Sequence, residues 1–65
     1  MKLVAYCIGL SETEIESIKR IKNDAGITVK TANGMTTIKA IGIYDDLLEV
    51  LVTVTQFKTF EVHLN

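Results

Sequence analysis

Cys7 and His63 are the residues of this sequence whose types could support nucleophilic catalysis. They are the single cysteine and the single histidine among 65 residues, and a thiol becomes a strong nucleophile when a neighbouring imidazole takes its proton. A reactive cysteine needs an electropositive, partly open setting, whereas Cys7 lies in the apolar stretch KLVAYCIGL. A thiol among apolar neighbours is usually inert packing. The sequence therefore favours a structural Cys7 and a surface His63, and it predicts a protein that is not an enzyme.

No other set of residues has the spacing of a metal or cofactor site. Asp45-Asp46 offers one carboxylate pair, whereas Ca²⁺ and Mg²⁺ take about six or more oxygen ligands. One cysteine and one histidine cannot supply the four ligands of a structural zinc site. The four glycines match neither the P-loop nor the dinucleotide fingerprint. We therefore expect no metal and no cofactor.

Charge and composition restrict the partner and the compartment. Seven basic and eight acidic residues leave a net charge of −1, which does not give the basic surface that binds nucleic acid or anionic membranes. No segment approaches the ~20 apolar residues of a membrane span, and MKLVAYCIGL lacks the small-residue cleavage site of a signal peptide. A lone cysteine excludes an internal disulfide. We therefore expect a cytoplasmic protein that binds neither nucleic acid nor a membrane.

The first strand and the first helix meet at the sequence GLSETE. KLVAYCIGL reads as a strand of about seven residues because it is rich in β-branched, aromatic and aliphatic side chains. Ser11 and Glu14 then fit a capping box, in which each side chain accepts from the other residue's backbone N–H. The acids and hydroxyls of this segment are thus explained by helix initiation. The helix is expected to reach Ala25, with a stripe of Ile15, Ile18, Ile21 and Ala25, and Gly26 as the left-handed residue after its end.

The middle of the chain predicts a β-hairpin. Asn33-Gly34 lies between two alternating segments, and a type I′ turn needs positive φ at both of its central positions. A two-residue loop places Ala32 opposite Met35, and this register fixes the faces. The apolar face then holds Ile27, Val29, Ile38 and Ala40, and the polar face holds Thr28, Lys30, Thr37 and Lys39.

The remainder predicts a helix and a closing strand. Residues 46–56 fit a helix capped by Asp45 or Asp46, although their β-branched residues also fit a strand. TFEVHLN alternates, with Phe60, Val62 and Leu64 expected on one face.

The predicted order is β-α-β-β-α-β, which is the split βαβ pattern in a single domain of residues 1–65. This fold class is α+β: a two-layer sandwich in which a four-stranded antiparallel sheet carries its helices on one face. If residues 46–56 form a strand instead, one helix covers a five-stranded sheet.

The first strand is apolar on both of its faces, which is unusual where one face of a sheet meets water. Leu3, Ala5 and Cys7 alternate with Val4, Tyr6 and Ile8, so one row should reach the open face. We expect this row to be Leu3, Ala5 and Cys7, which, flanked by Lys30, Lys39 and His63, would form a protein-binding surface.

The element order, the GLSETE seam and the hairpin before a short helix resemble HPr-type phosphocarriers. The resemblance covers most of the chain as topology. Those proteins carry a phosphorylatable histidine just after Gly-Leu, where this chain has Ser11, and their second phosphorylation site, a serine, falls near Asp46. The final helix of the family is missing. The resemblance therefore implies an inactive relative that cannot perform histidine phosphotransfer.

The sequence favours a small non-catalytic domain that binds another protein or itself, as a regulator, adaptor or inhibitor. It would use its sheet face, or a sheet edge by strand addition. The alternatives are a homodimeric small-molecule sensor and the inactive HPr-like relative.

Overall fold

A computed structural model describes all residues, 1–65. Its elements, in chain order, are β1 (Lys2–Ile8), α1 (Glu12–Lys19), β2 (Gly26–Ala32), β3 (Met35–Ile41), α2 (Tyr44–Val54) and β4 (Thr59–Leu64). The strands form one antiparallel sheet in the order β2-β3-β1-β4. The split βαβ prediction is confirmed, and the order places β1 in the interior of the sheet with β2 and β4 at the edges.

The start of α1 follows the sequence prediction, whereas its end does not. The Glu14 N–H donates to Ser11 Oγ at 3.2 Å, and the Ser11 N–H donates to Glu14 Oε1 at 2.8 Å, which completes the capping box. The helix ends at Lys19, well before Ala25. Gly26 opens β2 instead of following the helix, so the prediction of a longer helix is wrong.

Asn23 gives a physical reason why the helix does not continue to Ala25. Its Oδ1 accepts from the Ala25 N–H at 2.8 Å, a local turn that competes with helical hydrogen bonds. Its side-chain amide donates to the Asp46 carbonyl at 3.1 Å and to Glu49 Oε1 at 2.9 Å. The connection between α1 and β2 is therefore held against α2, and it turns the chain back towards the sheet.

The hairpin has the predicted turn and register. Asn33 and Gly34 have φ values of 54° and 75°, and Ala32 lies opposite Met35. Gly42, which follows β3, lies against the backbone of Ala25: a Cβ at Gly42 would stand 3.3 Å from Ala25 Cα. The absence of a side chain allows this close approach.

The second helix is confirmed, but its predicted cap is not. α2 begins at Tyr44 after Ile43, which makes no side-chain capping hydrogen bond. Asp45 and Asp46 lie in the first turn, where carboxylates complement the helix dipole. The strand alternative for residues 46–56 is wrong, because Leu47, Val50 and Val54 recur at helical spacing and are fully buried.

The last strand contains an irregularity that the alternating sequence did not indicate. The register of β4 shifts between the Tyr6–Glu61 pair and the Cys7–Thr59 pair, which leaves Phe60 as an extra residue. Thr59 therefore lies opposite Cys7, at the pairing position where an unshifted register would place Phe60. Phe60 is 68% exposed, so its expected place on the face of Val62 and Leu64 is wrong.

The core lies between the helices and one face of the sheet. It consists of nine fully buried apolar residues: Leu3, Ala5, Cys7, Ile18, Ile38, Ala40, Leu47, Val50 and Val54. Neither helix is long and apolar enough to cross a membrane.

Candidate functional site

The structure places the predicted binding row of β1 in the core. Leu3, Ala5 and Cys7 are each 0% exposed, because their face of the sheet is the one covered by α1 and α2. Their side chains cannot contact a partner of the folded protein. The prediction that this row forms a binding surface is therefore wrong, and the alternate row of β1 reaches the opposite face.

We call this opposite, helix-free side of the sheet the open face. At its centre, β1 contributes Val4, Tyr6 and Ile8, of which Val4 and Tyr6 are half-buried by their neighbours and Ile8 is 41% exposed. Met35 lies opposite Ile8 on β3, and Ile41 at the other end of β3 is 62% exposed. The open face therefore carries an apolar strip along β1, which Met35 and Ile41 of β3 extend at its two ends.

Cross-strand neighbours give this strip a charged border. Val4 lies between Lys39 of β3 and His63 of β4, and Tyr6 lies opposite Glu61 of β4. Lys30 on β2 and Lys2 on β1 add two further cations on the same face. The predicted flanking residues Lys30, Lys39 and His63 thus do share the open face, although they flank a different apolar row.

The charges of the molecule are segregated between its two sides. The open face carries three lysines and one glutamate, a formal +2, whereas the rest of the chain carries four basic and seven acidic residues, a formal −3. Together these give the chain's net charge of −1. The overall charge therefore conceals a basic sheet face opposite an acidic helical side, and sequence composition alone could not show this.

The strands β2 and β3 enclose a shallow groove of about 470 Å³ on the open face. Its lining residues are Thr28, Lys30, Ala32, Met35, Thr37 and Lys39. The groove is a direct result of the hairpin register, which aligns the polar alternate positions of both strands. Its side chains offer two ammonium groups and two hydroxyls, which are donors suited to an anionic group.

Cys7 and His63 do not form a catalytic pair. Cys7 Sγ lies on the core side, where it makes a long hydrogen-bond contact with Thr59 Oγ1 at 4.0 Å. His63 Nε2 lies on the open face, 2.7 Å from Glu61 Oε2. Burial raises the pKa of the Cys7 thiol, an effect opposed by the Thr59 contact and reinforced by the charge of Glu14. The geometry therefore separates the thiol from the only imidazole and keeps the thiol protonated.

This geometry predicts slow modification of Cys7 in the native protein. A raised pKa leaves less thiolate at a given pH, and burial requires the chain to open before a reagent can enter. We expect Ellman's reagent at pH 8 to react about a hundredfold more slowly with the native than with the urea-unfolded protein, since the core of a domain this small supplies at most about 3–5 kcal/mol of stability. Native and unfolded rates of similar size would contradict the buried position.

The structure brings no three His, Cys, Asp or Glu side chains together in a way that could hold a metal ion. The adjacent carboxylates Asp45 and Asp46 lie in the first turn of α2.

Comparison with models of known protein families finds no match, and comparison with curated proteins finds none either. The resemblance to HPr-type phosphocarriers therefore gains no support from either comparison.

Proposed function

We propose that this chain is a non-catalytic domain that binds another protein through the open face of its sheet, as a regulator, adaptor or inhibitor. The observation that carries this proposal is the uncovered apolar strip on the central strand β1. An antiparallel sheet with one wet face normally carries polar residues there. A partner that covered Val4, Tyr6 and Ile8 would remove apolar area from water, which stabilises a complex by roughly 25 cal/mol per Å² before the costs of association.

The charges of the open face indicate the chemistry of the partner. Lys2, Lys30 and Lys39 surround the apolar strip, while the only carboxylate, Glu61, is paired with His63. An apolar protein surface bordered by Asp and Glu would complement this arrangement. The acidic helical side of the chain would repel the same partner, so charge alone selects the sheet face for the encounter.

The proposal includes a cytoplasmic setting. A single cysteine held as a thiol in the core suits a reducing compartment, and its separation from His63 supports a role without catalysis.

A second function is favoured by the groove between β2 and β3. Its volume of about 470 Å³ is within the range of roughly 300–1,000 Å³ usual for ligand sites, and Lys30 and Lys39 line it. The alternative is therefore a homodimeric small-molecule sensor that takes a ligand with a carboxylate or phosphate group. This function predicts a ligand-dependent rise in the melting temperature, which Lys39→Ala would remove.

A matched pair of tyrosine variants tests the protein-binding function. Tyr6 is half-buried at the centre of the open face, and Tyr44 is 51% exposed at the start of α2. In affinity capture from the native host, followed by quantitative mass spectrometry, we expect Tyr6→Glu to lose the partner and Tyr44→Glu to retain it. The reason is that a carboxylate within the apolar strip leaves an uncompensated charge in the complex.

The same experiment separates the other outcomes. Equal recovery of the partner with Tyr6→Glu and wild-type protein contradicts binding through the open face. Recovery of oligonucleotide that declines steeply with salt would indicate nucleic-acid binding instead. If the partner is recovered with Tyr6→Glu but lost with Tyr44→Glu, the binding site lies on α2.

A further inference from the structure

The strand β2 exposes one complete row of unpaired backbone groups at the edge of the sheet. Lys2 and Asn65 exchange both N–H···O=C bonds at 2.9 Å, which fixes the bonding alternation across the sheet. On β1, the backbone groups of the even-numbered residues therefore bond to β4 and those of the odd-numbered residues bond to β3. The β1–β3 and β2–β3 registers extend this alternation to β2, where the backbone groups of the even-numbered residues bond to β3. The outward N–H and C=O groups of β2 therefore belong to Ile27, Val29 and Thr31.

The two edges of the sheet differ in how they resist strand addition. β4 is interrupted by its register shift next to Phe60, and such irregularities discourage pairing with another chain. β2 pairs with β3 without a shift over all seven residues, Gly26–Ala32, and contains no proline. Its one charged residue, Lys30, points to the open face. β2 is thus a regular, uninterrupted edge, which is the kind that accepts another strand.

We propose that a second copy of this chain pairs with the first along β2, in an antiparallel arrangement with the two-fold axis at Val29. In this register Val29 lies opposite Val29 of the second copy, and Ile27 lies opposite Thr31 of the second copy. Residues with outward backbone groups then face one another along the whole strand, so every outward N–H and C=O of β2 finds a partner. The two sheets become one continuous eight-stranded sheet.

Side-chain charge and backbone pairing favour this register over the two registers that are shifted by one residue. A two-fold axis at Val29 places Thr28 opposite Lys30 of the second copy, and the reverse. A shift of the two-fold axis by one residue, to Lys30, would set the two Lys30 side chains directly opposite each other, and like charges in that position are destabilising. A shift the other way, to Thr28, would leave Thr31 without a partner inside the strand.

The first helix adds a second complementary contact beside the strand. A groove along this edge is lined by Glu12, Ile15, Glu16 and Lys19 of α1 and by Val29 and Thr31 of β2. The same two-fold axis makes the two α1 helices run antiparallel. Glu12 near the start of one helix then approaches Lys19 at the end of the other, while Ile15 and Val29 lie near the axis. Opposite charges and an apolar centre thus meet in one self-complementary surface.

This self-association uses an edge of the sheet and leaves the open face free, so it does not depend on the proposed target. Its consequence is that two open faces become coplanar in one assembly. A target with two binding segments would then be held bivalently.

Proline variants at matched positions of the two edges test the proposal by sedimentation equilibrium of the full chain. Val29 of β2 and Val62 of β4 are both half-buried valines with outward N–H groups, and proline removes that donor without removing a bond inside the sheet. We expect the wild-type protein and Val62→Pro to be dimers, and Val29→Pro to be a folded monomer at every concentration at which Val62→Pro is a dimer.

Charge variants at Thr28 provide a second test in case Val29→Pro does not fold. Thr28→Lys would set a like charge opposite Lys30 of the second copy, twice by symmetry, and we expect the dimer to dissociate about tenfold more readily. Thr28→Glu would set an opposite charge there and tighten the dimer. Three results would overturn the proposal. They are a monomeric wild-type protein, a dimer whose dissociation constant changes with neither Thr28 substitution, and a dimer that Tyr6→Glu dissociates.

Discussion

The Ala5→Asp variant is expected not to fold. Ala5 is 0% exposed at the centre of the sheet, where it lies between Ile38 of β3 and Val62 of β4 on the side covered by helices. A carboxylate at this point would be surrounded by apolar side chains. Burying an unpaired charge costs several kcal/mol, and a domain of this size is stable by only about 3–5 kcal/mol. Circular dichroism at 25 °C should show an unfolded chain.

Val4→Asp is the matched control for this prediction. Val4 is the neighbouring residue, but it lies on the open face between Lys39 and His63. A carboxylate there meets water and a cation, so we expect a folded protein with the native spectrum. If Ala5→Asp folds while Val4→Asp does not, the assignment of the two rows of β1 to their faces is reversed. That outcome would also restore Leu3, Ala5 and Cys7 as candidates for the binding surface.

The Leu47→Ala variant is expected to lose most of the stability of the protein. Leu47 is 0% exposed and lies in the core with Val50 and Val54 of the same helix. Truncation removes buried apolar area and leaves a cavity, which together lower the free energy of unfolding by about 2–5 kcal/mol. Urea denaturation should show a much lower midpoint with a similar slope.

Leu48→Ala serves as its control because it makes the same chemical change one residue later. Leu48 is 39% exposed on the outer side of α2, and alanine has a slightly better helix propensity than leucine. We expect a change of less than about 1 kcal/mol. Equal losses for the two variants would show that α2 packs on the sheet with a different face.

The local elements of this fold could be predicted from short stretches of sequence because each depends on interactions between near neighbours. The capping box joins Ser11 and Glu14, three residues apart, and the type I′ turn depends only on Asn33 and Gly34. The hairpin register then follows from the length of the loop. These features needed no knowledge of the rest of the molecule.

Elements whose ends depend on distant residues were predicted less well. The path of the chain between α1 and β2 depends on Asn23, whose side chain donates to Asp46 and Glu49 of α2, and no local sequence pattern indicates this contact. The position of Phe60 depends on a register shift between β1 and β4. Alternation within the last strand cannot show a shift that arises from pairing with the first.

The sequence by itself determined the order of elements, the antiparallel hairpin and the existence of two apolar rows on β1. Only the tertiary structure decided which row faces water, because that choice depends on which side of the sheet the helices cover. Two features of the sequence indicate this choice. Ala5 and Cys7 have small side chains, which suit a face on which helices pack, and Tyr6 has a hydroxyl, which suits a face that meets water. The segregation of three lysines onto the open face likewise required the strand order β2-β3-β1-β4, since it brings together charges from separate parts of the chain.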